Sequence, residues 1–478
     1  MSTNLDIINH SNILNMEDIF RAQKKSFRNN PYPSAKERIN HLERLKPALL
    51  NNISMLTEAV NKDFGSRSYD ETKLAEILTS LEGLKYYVKN MRKLMQPLKR
   101  KTGILHFPSV ARVVYQPLGV VGVISPWNYP IFLAMGPLLG ALAAGNRVII
   151  KMSEYTPHTA TAFKRIIAEA FCEDHVAIIT GDADVGVAFS KLPFDHIIFT
   201  GSTSVGRHVM RAASENLTPV TLELGGKSPV IVSDHVSMSD VAERVAFGKC
   251  INAGQTCIAP DYLLCPTNRV DEFVTEFSAC VSKMYPNMLN NPDFTSVINK
   301  RQNSRLKEYL DDAKDKGARI IEINPANENF EKTNKIPITM VLNVNDEMKI
   351  MQDEIFGPLL CIVPYDGLDK ALEFVNDRPR PLALYYFDYN KSRCEKVLKE
   401  SHSGGVCLND TITHVSVDDM PFGGVGDSGM GSYHGPEGFK TFSHTKSVFE
   451  KGKINGTKYI FPPFGGVVHE LLYKKFLK

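Results

Sequence analysis

Short apolar segments of strand length alternate with amphipathic segments of helix length over much of this chain. One run of the alternation extends from 120 to 213 and a second from 229 to 387. The apolar segments are rich in Val and Ile, which is typical of parallel strands buried on both faces, and the intervening helices cover those faces. The sequence therefore predicts an α/β fold with two tandem doubly wound parallel-sheet domains.

The same pattern assigns the individual elements. Strands are predicted at 120–125, 147–151, 176–180, 196–200, 229–232, 262–265, 340–342, 359–364 and 382–387. One helix is predicted between the turn at 126–130 and residue 144. Further helices are predicted at 157–170, 184–192, 204–213, 240–252, 270–285 and 369–377. Residues 16 to about 100 show helical spacing. The segment 287–333 reads only as a polar stretch, and the glycine-rich segment 421–446 fits neither domain.

Composition limits the class of protein. A chain of 478 residues is too long for one ordinary core, and a net charge of +3 gives no general attraction to nucleic acid. The eight cysteines include no C-x-x-C pair, and no HExxH occurs, so we expect no metal site, free thiols and a cytoplasmic location. The charge-free stretch 113–146 is broken by four prolines and is interpreted as buried core rather than a membrane span.

Cys257 is the candidate nucleophile. It follows Gly254-Gln-Thr and precedes Ile258-Ala-Pro260, so glycine and proline place its sulfur on a loop. A thiolate attacks electron-poor carbon well at neutral pH. A lone cysteine is more often a small buried apolar side chain, so this interpretation depends on other motifs in the chain.

Two of these motifs follow predicted strands of the first run. Asn128 lies between two prolines in Pro126-Trp-Asn-Tyr-Pro130, where its amide could donate to an oxygen that becomes negative during a reaction. Phe199-Thr-Gly-Ser-Thr-Ser-Val-Gly206 joins a strand to a helix through small residues, an arrangement that suits a phosphate group. This segment does not match the G-x-G-x-x-G fingerprint of dinucleotide-binding folds.

Three further motifs carry carboxylates. Lys151-Met-Ser-Glu154 ends a predicted strand and could bind ribose hydroxyls. Glu223 stands directly before Leu-Gly-Gly-Lys227, where glycines allow a close approach of the backbone. Glu354-Ile-Phe-Gly-Pro358 places an acid and an aromatic ring on a rigid turn. Each motif alone is weak evidence, since a surface carboxylate would explain it.

Together and in this order, the motifs closely resemble those of the NAD(P)-dependent aldehyde dehydrogenases, and the resemblance runs from about residue 20 to about residue 465. The segments Pro421-Phe-Gly-Gly-Val-Gly426, Ser428-Gly-Met-Gly431, Tyr433-His-Gly435 and Thr441-Phe-Ser-His444 are similar to the class-3 group, and within it to bacterial coniferyl-aldehyde dehydrogenases. The long hydrophobic tail of the membrane-anchored fatty-aldehyde members is missing, so the resemblance implies a protein without a stable membrane anchor.

The resemblance implies a role for each motif. Cys257 would form a thiohemiacetal and then a thioester, Asn128 would stabilise the oxyanion, and Glu223 would activate water. The residues expected to bind the cofactor are Trp127, Lys151, Glu154, Gly201, Ser202, Gly206, Glu354 and Phe356. NAD is the expected cofactor because Glu154 should repel a 2′-phosphate, although NADP stays possible because Lys151 is close in sequence.

The resemblance also implies a division of the chain. Residues 1–98 and 116–223 would form the dinucleotide-binding domain, 224–411 the catalytic domain, 99–115 and 412–450 a small bridging β-sheet, and 451–478 a tail. The bridging sheet implies a homodimer. The tail is amphipathic and would pack on the protein or a partner subunit, or bind a membrane surface.

The substrate is the least constrained part of the prediction. Tyr129, Phe132, Ile258 and the segment 409–414 are candidates to line an apolar tunnel for an aromatic (coniferyl-type) or medium-chain aliphatic aldehyde. Two other functions stay open, namely a cysteine-dependent hydrolase and a non-catalytic binding protein with the same fold. A CoA-acylating enzyme is disfavoured by the presence of Glu223, which suits hydrolysis to the free acid.

Overall fold

The structure is a computed structural model that describes residues 2–103 and 106–477. Its strands, numbered along the chain, are β1 (Leu98–Arg100), β2 (Val110–Pro117), β3 (Val120–Ile124), β4 (Arg147–Lys151), β5 (Val176–Ile179), β6 (His196–Thr200), β7 (Val220–Glu223), β8 (Pro229–Val232), β9 (Tyr262–Pro266), β10 (Arg319–Glu322), β11 (Thr339–Leu342), β12 (Leu359–Tyr365), β13 (Ala383–Phe387), β14 (Gly405–Leu408), β15 (Gly429–Met430) and β16 (Ser443–Glu450).

The helices are numbered in the same way. They are α1 (Ser2–Asn29), α2 (Ala35–Leu50), α3 (Ile53–Phe64), α4 (Tyr69–Thr72), α5 (Thr79–Leu94), α6 (Phe132–Ala144), α7 (Pro157–Ala170), α8 (Ala183–Ser190), α9 (Thr203–Ser214), α10 (Met238–Cys250), α11 (Val270–Met284), α12 (Lys300–Asp315), α13 (Lys349–Gln352), α14 (Leu368–Asn376), α15 (Lys391–Glu400), α16 (Gly435–Thr441) and α17 (Val467–Phe476). A π-helical turn, Lys73–Leu78, joins α4 to α5.

Six strands form the first sheet, in the order β15-β7-β6-β3-β4-β5. Neighbouring strands are parallel except β15, which runs antiparallel to β7. Side chains that alternate along β3 enter different cores: Val121 and Val123 pack with α6 and α7, whereas Val120 packs with α1, α8 and α9. Helices therefore cover both faces, and the predicted doubly wound arrangement is confirmed.

Seven strands form the second sheet, in the order β10-β11-β12-β9-β8-β13-β14. Only β10 is antiparallel to its neighbour. Helices α10 and α11 pack on one face, and α12, α14 and α15 pack on the other. This sheet is also doubly wound, so the α/β fold predicted from the alternation is confirmed.

The polar stretch 287–333, for which the sequence predicts no element, contains regular structure. It contains the whole of α12, together with β10. Helix α12 buries only Asn303, Leu306, Tyr309 and Ala313, and most of its other residues are charged or polar. These four buried residues are spaced as on one face of a helix, but only two of them are large and apolar, which is too few to indicate a helix from the sequence. Strands β7 and β14 and helix α15 are likewise additions to the predicted elements.

A third, antiparallel sheet has the order β1-β2-β16. It is built from the two regions that the resemblance assigned to a small β-sheet, and the segment 421–446 also contains the short helix α16. Several large apolar side chains of this sheet and its loop are exposed, among them Phe107, Val110 and Phe449. Among the described residues, each helix is too short or too polar to span a membrane.

Candidate active site

The predicted site residues of the first sheet lie where its parallel strands end. Parallel pairing sets Ile124 beside Lys151 and Thr200 beside Glu223, so β3, β4, β6 and β7 end at one edge. This edge is where ligands bind in doubly wound sheets. The predicted residues found there are Asn128 after β3, Lys151 on β4, Gly201 after β6 and Glu223 on β7.

The loop that carries Cys257 begins with a sharp turn. Helix α10 ends at Cys250 rather than at the predicted 252, because Asn252, Ala253 and Gly254 adopt left-handed φ angles of 51°, 50° and 70°. A Cβ at Gly254 would lie 2.8 Å from the carbonyl carbon of Gly357, so only glycine fits there. The turn directs the chain away from the helix axis and presents Cys257 as a partly buried residue.

Buried amide side chains hold this turn in place. Gln255 Nε2 donates to the carbonyl oxygens of Asn252 (2.9 Å) and Ser296 (3.0 Å), and Gln255 Oε1 accepts from the N–H of Ile298 (2.9 Å). Left-handed φ at residues other than glycine is unfavourable and persists only where surrounding contacts enforce it. The hydrogen bonds of Gln255 supply that enforcement.

Asn128 is tied directly to the cysteine loop. Its side-chain Nδ2 donates to the carbonyl oxygen of Gln255 (3.1 Å), and its own carbonyl oxygen accepts from Asn252 Nδ2 (2.9 Å). The adjacent Tyr129 hydroxyl lies 2.8 Å from Thr256 Oγ1. An amide side chain has two N–H donors, so one bond to Gln255 leaves a second donor for a ligand.

Two carboxyl groups perturb the Cys257 thiol. Burial, together with Glu354 and Glu223, raises the pKa of Cys257 to about 12, while the backbone N–H groups of Cys257 and Ile258 oppose the rise. Glu223 is 2% exposed, neither of its carboxyl oxygens has a hydrogen-bond partner among the described residues, and burial raises its pKa well above the usual range. A buried acid with unpaired oxygens beside a thiol is suited to proton transfer.

Glu354 lies against the segment that follows Glu223. A Cβ at Gly225 would stand 2.5 Å from Glu354 Cδ, so the carboxyl packs against bare backbone. Burial raises the pKa of Glu354 to about 8, partly offset by the N–H of Gly226. Arg305 donates to the carbonyl oxygens of Glu354 (3.2 Å) and Ile355 (2.7 Å), which holds this segment in position.

The remaining predicted cofactor residues lie on or after β4, β6 and β3, apart from Phe356, which contacts Trp127. Trp127 and Phe356 meet edge to face with ring centroids 5.2 Å apart. The buried Lys151 ammonium donates to Met152 O (2.9 Å) and lies 3.9 Å from Glu154. Ser202 caps the N-terminus of α9, where backbone N–H groups point outward. A Cβ at Gly201 would come within 2.6 Å of the Phe199 ring, and a Cβ at Gly206 within 2.7 Å of Leu224 Cδ2, so a larger residue at either position would displace a neighbouring side chain.

Five aromatic residues from three segments pack against one another, and two of them lie near the cysteine. The Tyr385 hydroxyl donates to Ile258 O at 2.5 Å, and the charge of Cys257 raises the pKa of both Tyr385 and Tyr433, so both rings lie near the sulfur. Phe422 packs between His414 and His434, at centroid distances of 6.2 Å and 5.7 Å. The ring nitrogens of both histidines have no hydrogen-bond partner in the part of the chain that the structure describes. We call these five residues the aromatic chamber.

Comparison with known proteins decides the family. The model of the aldehyde dehydrogenase family matches residues 5–448. The chain belongs to the aldehyde dehydrogenase family. It is 56% identical to a probable coniferyl aldehyde dehydrogenase of Pseudomonas aeruginosa, over 97% of this chain and 96% of that protein. The predicted resemblance is therefore confirmed.

Solved structures agree with this assignment. A substrate-bound Staphylococcus aureus AldH superposes with a TM-score of 0.91 at 37% identity, covering 97% of this chain and 99% of that one. A Mycobacterium tuberculosis aldehyde dehydrogenase in complex with NAD+ gives a TM-score of 0.82 at 29% identity, covering 91% and 90%. The chain is an NAD(P)-dependent aldehyde dehydrogenase, and this activity takes precedence over the hydrolase and non-catalytic alternatives.

The aldehyde dehydrogenase site also uses residues that sequence reasoning missed. Asp261 accepts from the N–H of Ile355 (2.8 Å) and pairs with Lys227, which also donates to Asp353 O (2.9 Å). These bonds fix the turn that carries Glu354. A buried ion pair between distant residues leaves no local sequence signal, so only Lys227, inside a recognised motif, could have been suspected.

The tunnel candidates fall into different environments. Phe132 contacts His434, with ring centroids 5.9 Å apart, and so borders the aromatic chamber. Ile258 is buried directly after the cysteine, whereas the Tyr129 ring packs against the Arg67 guanidinium at 4.8 Å. The described residues contain no group of three or more His, Cys, Asp or Glu that could hold a metal ion.

Proposed function

We propose that Cys257 is the nucleophile that oxidises an aldehyde to a carboxylic acid, with Asn128 and Glu223 as its two assisting groups. The observation that carries this proposal is the pairing of a partly buried thiol with a buried carboxyl whose two oxygens lack partners. The raised pKa of Cys257 keeps the thiol protonated at neutral pH, so attack on the aldehyde requires a nearby proton acceptor. Glu223 is the acceptor that stands ready.

The first half of the reaction forms a bond between sulfur and carbon. The Cys257 thiol gives up its proton and adds to the aldehyde carbon, and the former carbonyl oxygen becomes an oxyanion. The second N–H of the Asn128 amide and the backbone N–H of Cys257 donate to that oxygen. When bound, NAD(P)+ would supply the acceptor for the hydride that leaves the substrate carbon. A thioester on Cys257 remains.

The second half releases the acid. Glu223 first releases to solvent the proton that it accepted from Cys257. Its carboxylate then removes a proton from water, and the resulting hydroxide attacks the thioester carbon. The carbon–sulfur bond breaks, the acid leaves, and the proton returns to the thiolate. The raised pKa of Glu223 makes it a stronger base than an exposed carboxylate. This assignment also argues for hydrolysis rather than transfer to CoA.

The predicted cofactor residues would hold the cofactor in an order set by the strands. Glu154 and Lys151 would bind the adenosine ribose, and Gly201, Ser202 and Gly206 would allow the phosphates to reach the N-terminus of α9. On the other side, Glu354 would bind the nicotinamide ribose, with Trp127 and Phe356 packed beside it. The exposed Glu154 carboxylate favours NAD, because it would repel the 2′-phosphate of NADP.

An aromatic aldehyde of the coniferyl type is the proposed substrate. The aromatic chamber offers ring faces to a flat substrate, and the unpartnered nitrogens of His414 and His434 offer hydrogen bonds to a polar ring substituent. Burial lowers the pKa of both histidines to about 4, so each imidazole is neutral with one donor and one acceptor. The Pseudomonas aeruginosa relative carries a coniferyl name. A medium-chain aliphatic aldehyde is the second candidate, because Phe132 and Phe422 provide apolar wall.

The division of the chain and its assembly are part of the same proposal. Residues 1–98 and 116–223 would bind the dinucleotide, 224–411 would carry the nucleophile, 99–115 and 412–450 would bridge two subunits of a homodimer, and 451–478 would form a tail. Exposed apolar side chains on the β1-β2-β16 sheet support an interface there. Free thiols support a cytoplasmic location.

The test is NADH formation with an aldehyde panel. Coniferaldehyde, benzaldehyde, hexanal and acetaldehyde would each be offered with NAD and with NADP, and Cys257→Ala would serve as the blank. We expect coniferaldehyde with NAD to give the highest kcat/KM and Cys257→Ala to give no NADH while it still binds NAD. Wild-type turnover in Cys257→Ala would refute the role of Cys257, and hexanal ahead of both aromatic aldehydes would refute the substrate class.

A further inference from the structure

A buried ionic cluster lies behind the active-site loops, outside every motif discussed so far. Arg67 is fully buried, with Nη1 3.1 Å from Glu76 Oε1 and Nε 3.3 Å from Glu71 Oε1. Glu76 is also fully buried. Burying charges is costly unless they are paired and hydrogen-bonded, so a chain keeps such a cluster only where an apolar replacement would not serve.

The cluster contacts both loops that carry reactive groups. Arg67 Nη1 donates to the backbone carbonyl oxygen of Asn128 (2.9 Å). Glu71 Oε1 accepts from the backbone N–H of Asn252 (3.0 Å), at the start of the left-handed turn. The Arg67 guanidinium also packs on the Tyr129 ring at 4.8 Å. One side chain therefore contacts the Asn128 loop while its acid partner contacts the cysteine loop.

Glu76 fixes the other end of the Asn128 loop. Its Oε2 accepts from the backbone N–H groups of Ile131 (2.7 Å) and Phe132 (3.2 Å), where α6 begins. A carboxylate at a helix N-terminus pairs with N–H groups that would otherwise be unsatisfied. The loop from Asn128 to Phe132 is thus held at its start by Arg67 and at its end by Glu76.

The π-helical turn explains how Glu71 and Glu76 reach the same arginine. In an α-helix, residues five apart point about 140° away from each other. Glu76 lies inside the π-helical turn Lys73–Leu78, whereas Glu71 precedes it in α4, so the wider i→i+5 bonding between them reduces the angle that separates the two side chains. The turn therefore brings Glu76 round to the side of Arg67 and Glu71. Such turns are rare and occur frequently at functional sites.

We propose that Arg67, Glu71 and Glu76 are positioning residues that set the Asn128 amide against the Cys257 loop for oxyanion stabilisation. This inference rests on the proposed role of Asn128. The network touches no reacting atom in the structure, and its polar bonds to backbone all go to the two active-site loops or to the start of α6. A misplacement of about 1 Å at a catalytic group costs up to about 10²-fold in rate, so the network affects chemistry through geometry.

A double-mutant cycle between Glu76→Gln and Asn128→Ala tests the proposal. Glutamine keeps an acceptor for the N–H groups of Ile131 and Phe132 but removes the charge that faces Arg67. The measured quantity is the rate of the pre-steady-state NADH burst at saturating NAD and aldehyde. Glu82→Gln is the matched control, because Glu82 lies on α5 in an exposed ion pair with Lys85 and should leave the burst unchanged.

We expect Asn128→Ala to slow the burst about 10²- to 10³-fold. Glu76→Gln should slow it about tenfold in the wild-type background and less than about twofold in the Asn128→Ala background, because groups that act through one another are not additive. If Glu76 only stabilised the fold, Glu76→Gln would slow the burst by the same factor in the wild-type and Asn128→Ala backgrounds, and that result would overturn the inference. A wild-type burst in Asn128→Ala would overturn the role of Asn128 itself.

Arg67→Lys provides a second variant that keeps the buried positive charge. Lysine lacks the planar, forked set of N–H donors with which arginine contacts Glu71, Glu76 and Asn128 at once. We therefore expect the NADH burst of Arg67→Lys to slow at least as much as that of Glu76→Gln. Trp127, the single tryptophan of the chain, adjoins Asn128 and reports the loop by fluorescence. A shifted Trp127 emission with unchanged Tm supports displacement of the loop. Emission and burst rate identical to wild type in both variants would refute the proposal.

Discussion

Replacing Gly225 with alanine tests the position of Glu354 most directly. An alanine Cβ would lie 2.5 Å from Glu354 Cδ, whereas non-bonded carbons stay about 3.5–4.0 Å apart. The φ angle at Gly225 is not positive, so the backbone itself accepts alanine. The carboxyl group must therefore move by about 1 Å or more.

The backbone around Glu354 cannot follow this movement. Arg305 holds the carbonyl oxygens of Glu354 and Ile355, and Asp261 holds the Ile355 N–H, so the side chain alone must rotate. A carboxylate that loses its hydrogen bonds to a ribose gives up about 1.5–3 kcal/mol. We therefore expect NAD to bind Gly225→Ala about 10- to 150-fold more weakly.

The assay is an NAD titration followed by Trp127 fluorescence. It is run at about pH 9, because Glu354 with a pKa of about 8 is then a carboxylate. Gly186→Ala is the matched control, since a Cβ at Gly186 in α8 meets no atom within 4 Å. A folded Gly225→Ala that binds NAD as tightly as wild type would refute the placement of the nicotinamide ribose at Glu354.

Three further predictions follow from the site and its support. Glu223→Gln should slow the NADH burst, because Cys257 loses its proton acceptor, and should slow acid release more strongly, so that mass spectrometry detects an acyl-enzyme. In wild type, acid release should rise with pH through the raised pKa of Glu223, and a rising limb that survives in the variant would contradict its role. His434→Phe should lower kcat/KM about tenfold more for coniferaldehyde than for unsubstituted cinnamaldehyde. The phenol group of coniferaldehyde would lose a hydrogen bond to His434 that is worth about 1.5 kcal/mol. Equal losses of kcat/KM for the two substrates would argue against a contact between His434 and the phenol. Buried Arg38 donates to Ala143 O (3.0 Å) and Ala144 O (2.7 Å) at the end of α6. Arg38→Met should therefore lower the free energy of unfolding by about 1–3 kcal/mol for each carbonyl oxygen left without a donor. A urea midpoint equal to that of wild type would contradict this.

The sequence predicted elements well where burial imposes a regular pattern. Strand β4 and helix α7 match their predicted bounds, because valine and isoleucine runs and helical spacing report burial directly. Helix α12 was missed since its outer face is charged and only a narrow stripe meets the sheet. The pattern is therefore informative for central elements and weak for helices at the periphery.

The site shows the same division. Cys257, Asn128, Glu223 and Glu354 could be predicted as site residues because each lies within a short motif at a loop or a strand end. The cluster of Arg67, Glu71 and Glu76 was missed because its members meet the loops only after folding, through a π-helical turn that no sequence pattern marks. Local chemistry can be read from neighbouring residues, whereas support from a distant helix depends on tertiary contacts.

The two-residue strand β15 has a consequence for how this enzyme is made. It pairs with β7 beside Glu223 and is followed at once by Tyr433, so the wall of the site comes from the last tenth of the chain. During synthesis on the ribosome, Cys257 and Glu223 emerge long before that wall exists. A nascent chain therefore carries its reactive thiol in an unfinished pocket, and activity begins only when almost the whole polypeptide has been released.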